Sequence, residues 1–374
     1  MKCLIYWAFG LLVVGHLGAG LWWLSVFFAL LFLLYLAGST NWGPVARLRK
    51  SLWVVVPLVV VGAVGAAVFF KTLVFGVYAI PSGSMEQTLL PGDVVWVNNL
   101  AYGPRLPSSP YEVSWLNVLV WLWEGEDADA ERRWWPYRRL KGYVAPRRGD
   151  VVVFNHPKKG EVFIKRLVAL PGDTLHLVSG RLMVNGEEQS LAPGVQFYSR
   201  VRLAGKDDLA LLRDSLGLRL WAGKEPGVYN GLLTADQMSG LRKFSGVLEA
   251  GIDPERPDTA WTVYPKQRAL GWTLDDFGPL TLPYKGMEMN LTETNSLVYG
   301  RLLSEEGVDL QKDGGRNVHT FLNDYFFVMG ENFHDSEDGR YFGPLREDLL
   351  IGRASMVLFS KSPRDGHRIF KGLR

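Results

Sequence analysis

The chain has 374 residues, a net charge of +3, one cysteine and 48% hydrophobic residues. That length holds about two to three domains, and so large an apolar fraction argues against a fully soluble protein and for a membrane segment. The small charge excess sits in local clusters, which argues against nucleic acid as a partner, and the lone Cys3, inside an apolar run, leaves neither a disulfide framework nor a cysteine-built metal centre.

Residues 1–38 form an apolar N-terminal membrane segment, interrupted by "GHLGAG" at residues 15 to 20. It reads either as one span, Gly20 to Ala37, or as a hairpin of two; a cleaved signal peptide over residues 1 to 20 is the competing reading, although no cleavage site follows. Arg47, Arg49 and Lys50 then make residues 39–50 a cytoplasmic basic loop by the positive-inside rule. The stretch "SLWVVVPLVVVGAVGAAVFF", residues 51 to 70, carries no charge and matches the ~20 residues that a spanning helix needs, so 51–71 is the predicted transmembrane anchor and the rest lies outside.

Beyond the anchor, "DVVWVNN", "DVVVFNH", "EVFIKRLVALPGD" and "DYFFVMGEN" alternate with Gly, Pro, Asn and Asp turns and show no helical period. The predicted fold is mainly β: an antiparallel core over 72–186 that resumes over 323–374 with a basic tail, an inserted α+β subdomain over 187–322, and N-terminal transmembrane helices. "VNGEE", Val184 to Glu188, predicts an Asn-Gly hairpin turn. Within the core, 102–145 is an insertion of mixed Trp, acidic and Arg clusters, either a solvated excursion or a surface that leans on the membrane.

Three stretches carry candidate chemistry. In "IPSGSMEQTLLPGD", Gly83 would allow a sharp turn that pushes the Ser84 hydroxyl outward, with Ser82 close enough to help hold an oxyanion beside the Ser84 amide; turn composition alone is the competing reading. A serine needs a base. His16, His156, His176, His319, His334 and His367 show no local triad pattern, which leaves a Ser-His-Asp arrangement open only through space. In "EVFIKRLVALPGD" two cations enter a strand that reads apolar on both faces; burial lowers a lysine's pKa but leaves arginine charged, so Lys165 is the candidate base and Arg166 the candidate ion-pair partner, unless Lys165 only snorkels at a strand edge. In "MGENFHDSEDGRYFGPL", Ser336 could orient a lysine amine while Asp338 and Arg340 pair; a surface acidic loop is the alternative, and the spacing does not fit a calcium loop.

Taken in order, a span, "IPSGSMEQTLLPGD", "RRGDVVVF", "FIKRLVALPGD" and "GENFHDSEDGRYFGPL" closely resemble bacterial type I signal peptidases, over about a third of the chain. The resemblance implies a membrane-bound serine endopeptidase of the bacterial plasma membrane, its catalytic domain on the outer face, that removes signal peptides from exported preproteins after small residues in an Ala-x-Ala-like pattern. It implies Ser84 as nucleophile and Lys165 as general base, Ser82 and Ser84 at the oxyanion, and Ser336, Asp338 and Arg340 as supports. Tyr78, Ile80, Met85, Leu89, Phe163 and Ile164 would line the substrate pockets. The implied partners are exported preproteins and the lipid bilayer, with no metal or other cofactor. Gln87, Glu331 and Gly339 depart from the family's usual proline, aspartate and serine. A non-catalytic, membrane-anchored binding or assembly protein for exported chains and a Ser-His-Asp hydrolase are the rival classes.

Overall fold

The structure, a computed structural model, describes residues 52–86, 88–113, 116–125, 134–189, 195–205, 207–253, 263–308, 318–361 and 368–373, together with residues 7, 10 and 32. The expectations for Cys3, His16, the N-terminal span or hairpin, the basic loop 39–50, Gln87 and His367 lie outside the described residues. The chain divides into two compact units, Met1–Gly76 with Pro104–Leu140, and Val77–Gly103 with Lys141–Arg374.

In the first unit, helix α1 (Leu52–Phe69) has no charged residue, and a single π-helical turn, Phe70–Val74, follows it. Its 18 residues span about 27 Å at the rise of an α-helix, against about 30 Å of bilayer hydrocarbon. No helix among the described residues is long and apolar enough to cross a membrane. The 102–145 insertion contributes a 3-10 turn, Pro110–Glu112, capped by Ser109, whose hydroxyl accepts from Tyr111 N at 3.2 Å. It leads into a second helix, α2 (Leu116–Glu124). Arg105 pairs with Glu112 at 3.2 Å and forms an isolated antiparallel bridge with Arg139 on the return path.

The strands, in chain order, are β1 (Phe75–Ala79), β2 (Asp93–Asn98), β3 (Val151–Asn155), β4 (Val162–Ala169), β5 (Thr174–Val178), β6 (Arg181–Val184), β7 (Glu187–Glu188), β8 (Gln196–Leu203), β9 (Leu220–Ala222), β10 (Val228–Thr234), β11 (Val247–Ile252), β12 (Phe277–Thr281), β13 (Glu288–Asn290), β14 (Val318–Thr320), β15 (Tyr325–Met329), β16 (Leu345–Arg346), β17 (Leu350–Ser360) and β18 (Lys371–Gly372). The main sheet runs β1-β2-β17-β3-β4-β15-β16, with β18 added to β17. Its pairings from β2 onward are antiparallel, so the mainly antiparallel β expectation holds.

Both faces of this sheet are covered. Val151 and Val153 of β3 pack with Ile80, Met85, Leu89, Val95, Val97, Ala354 and Val357, whereas Val152 and Phe154 pack with Leu167, Phe326, Val328 and Leu345 on the other side. Alternate residues of one strand point to opposite faces, so a strand in such a sheet must be apolar throughout. β4 follows that rule except at Lys165 and Arg166, and both are buried.

The segment 187–322 has a core of its own. The sheet β11-β8-β10-β9 packs Val201, Leu203, Leu220 and Leu233 against Leu212 of α3 (Asp207–Leu216) and Leu241 of α4 (Ala235–Leu241). Its remaining parts join strands from before position 187: β12 pairs with β5 in the sheet β12-β5-β6-β7, and α5 (Glu293–Glu305) packs Leu302 and Leu303 into the cluster that holds Leu175 and Phe327. The Asn-Gly turn is present between β6 and β7, with φ of 57° at Asn185 and 83° at Gly186.

Candidate active site

The loop from Ile80 to Asp93 closes on itself by two backbone bonds, Ile80 N to Asp93 O at 2.8 Å and Gly92 N to Ile80 O at 2.9 Å. Met85 and Leu89, one helical turn apart, are fully buried and peg this loop into the sheet's core, with Leu89 N donating to Met85 O at 2.8 Å. Ser84, immediately before the first peg, is thereby held at the sheet surface. Gly83 does not need left-handed torsions: it is absent from the positive-φ glycines, and a Cβ there would meet only the flexible Glu86 carboxylate at 3.2 Å. The glycine that the site requires is Gly330, where a Cβ would lie 1.9 Å from Ser336 Oγ and 2.8 Å from Ser84 O. No side chain fits there, so the backbone after β15 can press directly against the Ser84 loop.

Lys165 Nζ lies 2.6 Å from Ser84 Oγ, and Ser82 Oγ lies 3.4 Å from the same oxygen. Lys165 is only 4% exposed, and its ammonium stands 5.4 Å from the centre of the Phe163 ring. Burial pushes its pKa down to about 8, with the Asp338 carboxylate, and then Glu337, pulling it partly back up. Near neutrality a useful fraction of this amine is therefore uncharged beside a hydroxyl.

The next residue, Arg166, points to the opposite face and pairs with the fully buried Glu331, with Nε donating to Oε1 at 3.1 Å and Nη2 donating to the same oxygen. Thr88 joins this pair. Its hydroxyl donates to Glu331 Oε1 at 2.6 Å and accepts from Arg166 Nη2 at 3.0 Å, and its amide donates to Glu331 Oε2 at 3.2 Å. The backbone amides of Glu331 and Asn332 in turn donate to Ser84 O at 3.0 and 3.2 Å. The ion pair thus ties β4, the serine loop and the 330–332 segment together.

Asp338 caps the short helix α6 (Gly339–Phe342) and accepts from Gly330 N at 3.0 Å, from Arg340 N and Nε at 3.1 and 3.0 Å, and from Arg340 Nη2 at 2.8 Å. The Arg340 guanidinium also donates to Phe333 O and stacks 4.0 Å from the Phe333 ring centre. Ser336 Oγ is buried without a hydrogen-bond partner; no bond joins it to Lys165.

Among the residues expected at substrate pockets, Ile80, Met85 and Leu89 belong to one apolar cluster with Tyr78 and Ile164 packed against it, while Phe163 packs on the cluster of the other face. Three histidines have carboxylate neighbours that no local pattern revealed: His334 with Asp275 at 2.9 Å, His319 with Glu306 at 2.8 Å and His156 with Glu337 at 3.6 Å. None of these is hydrogen-bonded to Ser84, whose hydroxyl meets Lys165 and Ser82.

Sequence reasoning missed the contribution of the inserted segment. Gln196 at the start of β8 forms a parallel bridge with Asn332, donates to Glu331 O at 2.6 Å and accepts from Phe333 N at 2.8 Å. Tyr264 N donates to Arg340 O at 2.7 Å. The segment therefore braces the loop that carries Glu331, Ser336 and Asp338.

A buried lysine against a serine on a β scaffold belongs to the chemistry of serine hydrolases. Residues 52–213 and 287–359 match the family described as signal peptidase, peptidase S26, and the chain belongs to that family. It is 24% identical over 297 residues to the signal peptidase I of Buchnera aphidicola subsp. Schizaphis graminum, covering 78% of this chain and 70% of that protein. Identity to the signal peptidase I of Pseudomonas aeruginosa is 38% over 112 residues, 29% of this chain and 30% of that one. That of Aquifex aeolicus is 21% identical over 296 residues, 79% of this chain and 80% of that one. The match to the solved crystal structure of a signal peptidase I from Enterococcus faecalis V583, 18% identical, covers 56% of this chain and 97% of that chain at a TM-score of 0.23, too low to bear on the fold. Family membership makes the protein a serine endopeptidase of the signal-peptide-removing class.

Proposed function

We propose that the protein removes N-terminal signal peptides from exported preproteins by a Ser84–Lys165 dyad, cutting after small residues in an Ala-x-Ala-like pattern. The observation that carries this reading is the 2.6 Å separation of Lys165 Nζ from Ser84 Oγ, with the amine buried and its pKa lowered to about 8. Neutral Lys165 takes the Ser84 proton as Oγ attacks the scissile carbonyl. The oxyanion is met by the Ser84 amide and the Ser82 hydroxyl, and the protonated lysine gives its proton to the leaving amine. Water, deprotonated by the lysine, then hydrolyses the acyl-enzyme and frees Ser84. Ser336 Oγ, buried and unpartnered, is left to accept from Lys165 once Ser84 Oγ is engaged in the acyl bond. Asp338 and Arg340 fix the loop that holds it, and Tyr78, Ile80, Met85, Leu89, Phe163 and Ile164 shape pockets that admit short side chains.

We place the protein at the bacterial plasma membrane through the apolar segment around α1, with the catalytic unit on the outer face. What supports this is the uncharged run 51–70, the basic residues Arg47, Arg49 and Lys50 before it, and the membrane association of the family in bacteria. The test is cleavage of a preprotein by detergent-solubilised enzyme. Ser84→Ala and Lys165→Ala each abolish cleavage with the fold retained, and Lys165→Arg, which keeps the charge but loses the titratable amine, does the same. Full activity in any of the three rejects the dyad, and activity that depends on a histidine instead would favour a Ser-His-Asp hydrolase.

A further inference from the structure

Helix α2 is nine residues long, and none of them is buried. Seven of the nine are Leu, Val or Trp; the polar pair, Asn117 and Glu124, stand near its two ends. Trp123 is 91% exposed, Leu122 66% and Leu119 63%, with Val118 and Trp121 also exposed. At 100° per residue, these five sweep an arc of about 200°, twice the stripe of about 100° by which an ordinary amphipathic helix faces its core. The half-buried Leu116, Asn117, Val120 and Glu124 occupy the remaining arc. That inner side is held by protein: Asn117 N donates to Val113 O at 3.0 Å, and the Tyr111 hydroxyl donates to the Glu124 carboxylate.

An arc this wide does not fit a groove on a partner protein, which takes one stripe and leaves a polar back. A medium that wets the helix from three sides at once fits it, and that medium is hydrocarbon. The compact unit that contains α2 also contains the uncharged helix α1, and the return path presents the exposed Trp134 and the exposed Arg138, the residue types that settle at the level of lipid headgroups. We propose that α2 is a second membrane contact, separate from the anchor, whose Val118, Leu119, Trp121, Leu122 and Trp123 lie in the acyl region of the bilayer beside the enzyme. This rests on the membrane placement given above but not on the Ser84–Lys165 chemistry.

The test uses the full chain in nanodiscs of phosphatidylcholine and phosphatidylglycerol, in a Cys3→Ser background that removes the one native thiol. Single cysteines replace Leu119, Leu122 or Trp123, with Glu249→Cys as an exposed control on β11, and each carries an environment-sensitive fluorophore. The expected result is blue-shifted emission, quenched by brominated acyl chains, at all three α2 positions and not at position 249. Emission as red and as unquenched at α2 as at the control overturns the proposal. So does a blue shift that ignores brominated lipid and grows with the number of copies per disc, because that assigns the surface to a second copy of the chain. A supporting readout is a Leu119→Ser, Leu122→Ser, Trp123→Gln variant that cleaves a bilayer-embedded preprotein about fivefold more slowly while cleaving a short soluble peptide at the original rate; equal rates on both substrates count against it. Full peptide cleavage by Ser84→Ala or Lys165→Ala would refute the dyad and leave the fluorescence result standing.

Discussion

Replacing Glu331 with leucine removes the acceptor at the centre of a buried cluster. Its carboxylate is fully buried and accepts from Thr88 N at 3.2 Å, from Thr88 Oγ1 at 2.6 Å and from Arg166 Nε at 3.1 Å. Removing one member of a buried ion pair costs about 3–5 kcal/mol, because the other charge is left uncompensated. The bonds that Arg166 keeps, to Gly149 O at 2.5 Å and to Thr88 Oγ1 at 3.0 Å, set the expected loss at the lower end, about 3 kcal/mol. Arg166→Met together with Glu331→Leu removes both charges and returns stability to within about 1 kcal/mol of the parent. The same segment bonds Ser84 O through the amides of Glu331 and Asn332, so kcat falls about tenfold or more in the single variant as the serine loses its register. Chemical denaturation followed by tryptophan fluorescence, with peptide cleavage measured on the same preparations, reads both effects. A single variant as stable as the parent, or a double variant no better than the single, would refute the reasoning.

Lys165→Met stabilises the protein at pH 7 by about 3 kcal/mol while abolishing activity, since the lowered lysine pKa, about 8 against 10.5, measures the cost of its buried charge. That cost is complete below pH 8 and fades as the pH rises to 10.5, where the unfolded amine is neutral too, so the gap between variant and parent closes over that window; a constant gap contradicts it. Glu337→Gln takes away a carboxylate that raises the Lys165 pKa and frees Lys159, its 2.6 Å partner, to repel the ammonium; both effects move the acid limb of kcat/KM to lower pH. Lys159→Ala, which removes the ammonium that offsets Glu337, moves that limb to higher pH, and shifts in the reverse directions would be incompatible with the site's electrostatics. Gly330→Ala forces a methyl group to within 1.9 Å of Ser336 Oγ and 2.8 Å of Ser84 O, so cleavage is lost even where the protein still folds, as judged by its melting transition; an active alanine variant would show that the contact can relax.

The strand that carries Lys165 and Arg166 was legible because two cations in an otherwise apolar run signal burial, and the Asn-Gly turn was legible because few dipeptides accept left-handed torsions at both positions. The neighbours of those cations were not. Arg166 meets Glu331 across 165 positions and Thr88 meets it across 243, distances over which no periodicity speaks. Gly83 drew attention as the hinge, yet Gly330 is the glycine under steric pressure, because a close approach between two distant loops leaves no trace in local composition. The segment 187–322 reads as an inserted subdomain from its change of rhythm, which carries no sign that Gln196 and Tyr264 hydrogen-bond into the loop around Arg340 and Glu331. The uncharged run of residues 51 to 70 was plain in the sequence, and the structure forms the 18-residue helix α1 over most of it. The Trp-rich insertion reads either as a solvated excursion or as a surface that leans on the membrane, and its helix α2 is short enough for the acidic and basic residues around it to hide its apolar surface.

The most direct measurement is the titration of the Lys165 side chain itself, by NMR of enzyme labelled at the lysine ε-position, with Lys165→Met used to assign the signal. A midpoint near pH 8 is the result that burial beside Ser84 demands. A midpoint near 10.5, that of an ordinary lysine, would leave the serine without a base and contradict the mechanism.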